Sequence, residues 1–105
     1  MRSSIVVLAS GIACSVGPWS VRADTLTVVI NAATYVPADI TAKVGDTIVW
    51  SNQDIFVHSV TDRGKSFDMN ILPKHDARIT LKTSGSFNYY CRFHPNMQGR
   101  LTVSP

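Results

Sequence analysis

The sequence predicts an all-β fold, a sandwich or barrel, for residues 24–105. Three observations carry that reading. Turn-forming clusters recur along the chain at the spacing of short strands: "NAATYVP", "KVGDT", "SNQD", "DRGKS", "PKHD", "TSGS" and "HPNMQG". Short β-branched and aromatic runs fill the intervals. No stretch sustains a 3.6-residue apolar period over three turns, which argues against a long helix.

The elements follow in chain order. Residues 1–23 read as an export signal. Met1, Arg2, Ser3 and Ser4 make a short positive start, and "IVVLASGIACSVG" is an apolar run shorter than the roughly 20 residues of a membrane span. Val21 and Ala23 then place small residues before Asp24, where a signal peptidase cleaves. Processing there leaves residues 24–105 as one domain in the periplasm, with no membrane insertion and near the lower size limit for a self-sufficient core. The strand runs are "TLTVVI", "DITAKV", "TIVWS", "VHSVT", "ARITL", "FNYYC" and "LTVSP". Side chains alternate across a strand, so Ile48 and Trp50 share one face, with Trp50 in the core. Likewise Phe87, Tyr89 and Cys91 point inward together, while Asn88 and Tyr90 face out.

Charge narrows the function. The full chain carries +3, but loss of Arg2 and Arg22 leaves 8 basic residues against 7 aspartates, a net charge near +1. The basic residues stand singly, without a run or aromatic interleaving, so the chain has no nucleic-acid footprint. Of the 2 cysteines, Cys91 alone survives processing. Small exported domains usually rely on disulfides, and a lone thiol in that compartment is either buried and inert or holds something.

The segment "CRFHPNM" decides between these. Cys91, His94 and Met97 are three apart, and Pro95 disfavours the helical conformation at His94, so the segment reads as a loop curling around a point. Thiolate, imidazole and thioether are all donors to a soft or borderline metal. His58, at the start of a strand after the "SNQD" turn, is the fourth partner. His75, between Lys74 and Asp76, reads as a solvated loop residue. Two imidazoles and a thiolate suit zinc as well as copper, but a thioether adds little for zinc. Two His and one Cys with a weak axial Met is the blue-copper pattern. Each residue alone has a plainer role in a core or loop; their joint occurrence favours metal.

With these residues in view, the chain resembles the cupredoxins, the plastocyanin, pseudoazurin and amicyanin group of small blue copper proteins. The resemblance runs from "YVPADITAKVGDTIVWSNQD" through "VHSVTD" and "SGSFNYYCRFHPNM" to "GRLTV". The two-residue spacings on either side of His94, with Pro95 following, resemble the amicyanin subgroup most closely. The resemblance implies a Greek-key β-sandwich of about seven or eight strands. It also implies one type 1 copper per chain, with His58, Cys91 and His94 as strong equatorial ligands and Met97 as the long axial one. The implied function is single-electron transfer, not catalysis, by a monomer whose redox partners are proteins such as a c-type cytochrome or a dehydrogenase. The alternative is a periplasmic copper carrier or buffer. An apolar rim of Phe56, Val57, Leu72, Phe93 and Pro95 is expected around His94, and loss of His94 from reduced copper in acid follows from the same resemblance. Two departures stand out. Ser59 replaces the Asn that pins the ligand loops in the family, and Arg92 with Phe93 replaces a small polar residue and a proline, so one constraint near the sulfur is lost. Backbone N–H groups near Cys91 and the Ser59 hydroxyl are the expected supports.

Overall fold

A computed structural model describes residues 22–105. The proposed signal at 1–23 therefore lies almost wholly outside the described residues. Nine strands form among the described residues: β1 (Thr25–Asn31), β2 (Thr34–Val36), β3 (Asp39–Lys43), β4 (Thr47–Asn52), β5 (His58–Asp62), β6 (Asp68–Ile71), β7 (Asp76–Thr80), β8 (Gly85–Cys91) and β9 (His94–Ser104). They build a four-stranded sheet in the order β2-β1-β4-β7 and a five-stranded sheet in the order β3-β9-β8-β5-β6. The pairs β1/β4 and β3/β9 are parallel and the others antiparallel, giving a mixed Greek-key sandwich.

The sequence runs account for seven of these strands. β2 and β6 are additional. β2 is three residues long and lies inside "NAATYVP", whereas β6 is "DMNI", whose Asp and Asn have low strand propensity. Strand β9 also starts earlier than expected, at His94, so "CRFHPNM" is a tight hairpin with Arg92 and Phe93 at its tip rather than an open loop. Pro95 is tolerated near the start of that strand, where a missing N–H costs little.

The inward faces interdigitate. Val28, Ile30, Ile48 and Trp50 come from one sheet and Val60, Tyr89, Cys91, Leu101 and Val103 from the other, all buried. Complete burial of such side chains contributes about 1.5–3 kcal/mol each for the larger ones. The Tyr89 ring meets Trp50 edge-on at 5.6 Å and Tyr35 at 4.8 Å between centroids. Gly99 faces Tyr89 across the β8–β9 ladder, and a Cβ there would fall 2.4 Å from the ring, so only glycine lets the backbone approach this closely.

Aspartate carboxylates fix two of the connections. The β1–β2 hairpin turns through Ala32 and Ala33, both in the left-handed region at φ 52° and 55°. Neither has the Asn or Gly that such turns favour; instead the Asp54 carboxylate accepts both N–H groups, at 2.7 and 2.9 Å. At the opposite seam, the buried Asp46 carboxylate accepts the N–H of Asp24 and of Lys43, each at 2.9 Å.

Candidate metal centre

Antiparallel pairing of β5 with β8 sets the start of β5 beside the end of β8. His58 and Cys91 occupy those two positions, and the tight hairpin returns the chain so that His94, the first residue of β9, lies against them. The four residues singled out in the sequence thus gather at one end of the sandwich. Cys91 Sγ is 3.7 Å from His58 Nδ1 and 3.9 Å from His94 Nδ1. All three donor atoms lie within 4.8 Å of one another. Such spacings suit donors about 2.0–2.3 Å from one shared ion. His58 and Cys91 are fully buried, His94 is exposed, and Met97 is buried beside them, lining the same concavity as His94 and Pro95.

Each donor is held from behind. Asp54 Oδ2 lies 2.8 Å from His58 Nε2, so the ring donates that N–H to the carboxylate and turns Nδ1 toward the sulfur. Burial would raise the Asp54 pKa, but the Ala33 N–H, the His58 ring and the Ala32 N–H outweigh it and hold the carboxyl below its ordinary value. Asp54 itself is fixed by Asn52, a buried amide whose Oδ1 accepts the Asp54 N–H at 3.0 Å. The Asn52 Nδ2 donates to the carbonyls of Phe56 and Ile71, at 2.9 and 3.0 Å. The sequence reading missed Asp54; the available signal was a carboxylate four residues before a metal-ligating histidine, a common partner for such a ring.

Ser59 lies at the centre of the support. Its N–H donates to Cys91 Sγ at 3.3 Å, its carbonyl accepts the Tyr35 hydroxyl at 2.6 Å, and its Oγ accepts the Arg92 N–H at 2.8 Å. Burial above all, with Cys91 and Tyr89 adding to it, pushes the Tyr35 pKa up, so the phenol stays a neutral donor. Both expected supports, a backbone N–H at the sulfur and the Ser59 hydroxyl, are in place.

His75 is exposed and donates Nδ1–H to the Pro73 carbonyl at 2.9 Å, away from the cluster, as a solvated loop residue would. Of the expected rim, Phe56, Leu72, Phe93 and Pro95 are exposed and Val57 is half-buried. Ile55, beside Phe56, is the most exposed large apolar residue at 74 % and was not foreseen.

Comparison with known proteins agrees with this geometry. The family model for the cupredoxin-like domain matches residues 4–103. The chain belongs to that family. It is 32 % identical over 89 residues to amicyanin from Paracoccus versutus, covering 79 % of this chain and 67 % of that protein. It is 28 % identical over 75 residues to amicyanin from Paracoccus denitrificans, covering 66 % of this chain and 57 % of that protein. A solved structure of a reduced amicyanin mutant superposes with a TM-score of 0.67 at 26 % identity, covering 76 % of this chain and 82 % of the other. A copper-containing nitrite reductase from Thermus scotoductus SA-01 shares the fold, with a TM-score of 0.71 at 23 % identity, but the match covers 22 % of that chain. Relatives named amicyanin thus agree with the subgroup that the spacing of the ligand hairpin resembles. The donor set of this cupredoxin, two imidazoles, a thiolate and a buried thioether, is that of a single copper site.

Proposed function

We propose that this cupredoxin carries single electrons between redox partners through one type 1 copper held by His58, Cys91, His94 and Met97. The observation that carries the reading is the convergence of two imidazole nitrogens and one buried sulfur within 4.8 Å, with the sulfur already accepting a backbone N–H. Copper bound there supplies a one-electron Cu(I)/Cu(II) couple.

The residues of this chain prepare for that couple by restricting movement. Asp54 fixes the tautomer and tilt of His58, and Ser59 holds the sulfur from the strand beside it. A donor set fixed in advance needs little rearrangement when its charge changes. His94, the exposed donor, shares a concavity with Phe93 and Pro95 of the apolar rim, where a partner can exclude water and bring its own redox centre close. The rest of the reading is of the same kind: residues 1–23 as an export signal, 24–105 as a monomeric periplasmic domain, and a c-type cytochrome or dehydrogenase as partner. Full burial of His58 and Cys91 favours an electron carrier over a copper carrier or buffer, which needs exchangeable ligands. A single donor cluster among the described residues also favours a carrier over an enzyme.

Absorption spectroscopy tests the proposal. The oxidised copper form is expected to be intensely blue, to bleach with ascorbate and to recolour on reoxidation over repeated cycles. A protein that bound copper without the blue band, or gave it up at once to a mild chelator, would be the delivery protein instead.

A further inference from the structure

The two departures from the family pattern, Ser59 and Arg92, are in contact. Arg92 N–H donates to Ser59 Oγ at 2.8 Å, and Ser59 Oγ lies 2.8 Å from Thr61 Oγ1. Thr61 Oγ1 donates to Asp68 Oδ1 at 2.8 Å. The threonine has one hydroxyl proton and spends it on the carboxylate, so the serine must be the donor to the threonine. Each hydroxyl in the relay then gives one bond, and each accepts at least one. The far end returns to its origin. Arg92 Nε donates to the same Asp68 Oδ1 at 3.0 Å and to Thr61 Oγ1 at 3.2 Å, and its terminal amino group reaches Asn70 Oδ1.

We propose that Arg92 is a positioning residue for the metal hairpin, closing a ring of hydrogen bonds from its own backbone through Ser59, Thr61 and Asp68 to its own side chain. The inference rests on the copper reading for its purpose, though the ring itself exists without metal. It does for this chain what the family's Asn does by a single side chain. The Arg92–Asp68 ion pair alone would contribute little, since its side chains are 36 % and 55 % exposed. The ring matters because its middle members are buried, Ser59 fully and Thr61 at 8 % exposure. Removing the Asp68 carboxylate leaves the Thr61 hydroxyl proton without its acceptor, and removing the Arg92 guanidinium leaves that carboxylate without its charged donor. Geometry places the effect next to Cys91 and two residues before His94. The constraint lost with the family's proline is thereby offset from outside the hairpin, by strands β5 and β6.

Hydrogen exchange on the metal-free full chain and spectroscopy of the copper form test this together. Asp68→Ala and Arg92→Ala are expected to speed exchange of the residue 92 amide about tenfold, as loss of one hydrogen bond implies. Amides of β1 and β4 should not change. In the copper form both variants should shift the reduction potential and the electron paramagnetic resonance pattern. Adding Ser59→Asn to Arg92→Ala should restore both readouts toward the parent, whereas Arg92→Lys, with one ammonium for three acceptors, should not. Unchanged residue 92 exchange in both alanine variants, or no response to Ser59→Asn, would overturn the ring as a positioning device. Should the parent chain take up copper without a blue band, the electron-carrier reading fails while the exchange result still decides this one.

Discussion

At the scale of single residues, the site depends on side chains whose removal has separable effects. Cys91→Ser should abolish the blue band, and Met97→Gln should keep copper but lower the reduction potential, because a stronger axial oxygen donor favours the oxidised ion. Survival of the blue band in the Cys91 variant would refute the ligand assignment. Asp54 has two duties, since one carboxylate fixes His58 and caps the Ala32–Ala33 turn. Asp54→Asn is expected to cut copper affinity about 10- to 100-fold, the usual cost of losing a partner behind a ligating histidine; competition with a chelator of known affinity measures it. Gly99→Ala tests packing away from the metal. Its added Cβ would sit 2.4 Å from the buried Tyr89 ring, so unfolding free energy should fall by about 1–3 kcal/mol in denaturant titration.

At the scale of elements, the legible and illegible parts of the sequence separate by range. Alternation in "TIVWS" and "FNYYC" placed Ile48, Trp50, Tyr89 and Cys91 inward, and all four are buried. Local pattern suffices there because alternation sends every second residue into the core, although Val49 on the opposite face of β4 is buried as well. β2 and β6 were not legible because their stability comes from pairing with β1 and β5 rather than from their own residues. The hairpin was half legible. Its residues and spacing named the donors, but the strand character of His94 onward comes from the β8–β9 ladder, whose register shifts between Tyr90 and Cys91 and so leaves Pro95, Asn96 and Met97 without partners across it. The ring through Arg92 was wholly illegible, since its members belong together only once β5 pairs with β6 and β8. β9 joins the edge strand β3 to the rest of its sheet, so Leu101→Ala at a fully buried position in it should lower unfolding free energy by about 2–5 kcal/mol, without altering the colour of the copper form.

At the scale of the whole molecule, the sandwich puts its chemistry at one end and its acid-sensitive closure at the other. The exposed rim of Phe56, Leu72 and Phe93 is where a partner is expected to dock. Leu72→Glu should slow electron exchange with a soluble redox partner several-fold and leave the visible spectrum unchanged; an unaltered rate would move the docking face elsewhere. At the closure, the Asp24 and Lys43 N–H groups, outweighing burial, hold the Asp46 carboxyl below its ordinary value. A depressed carboxyl stabilises the fold above its unfolded value of about 3.9, and that contribution is lost as pH falls through the lower folded value. Thermal melting of the metal-free chain should therefore show Asp46→Asn well below the parent at neutral pH, with the gap narrowing below about pH 4. A constant gap would exclude the charge as its cause. The same carboxylate would give the proposed processing a structural meaning. If the leader is cut after Ala23, the peptide nitrogen of Asp24 becomes a free ammonium 2.9 Å from that oxygen, and a neutral bond turns into an ion pair. The newly made end would then act as a latch, so that the exported form holds its first strand more firmly than the precursor does.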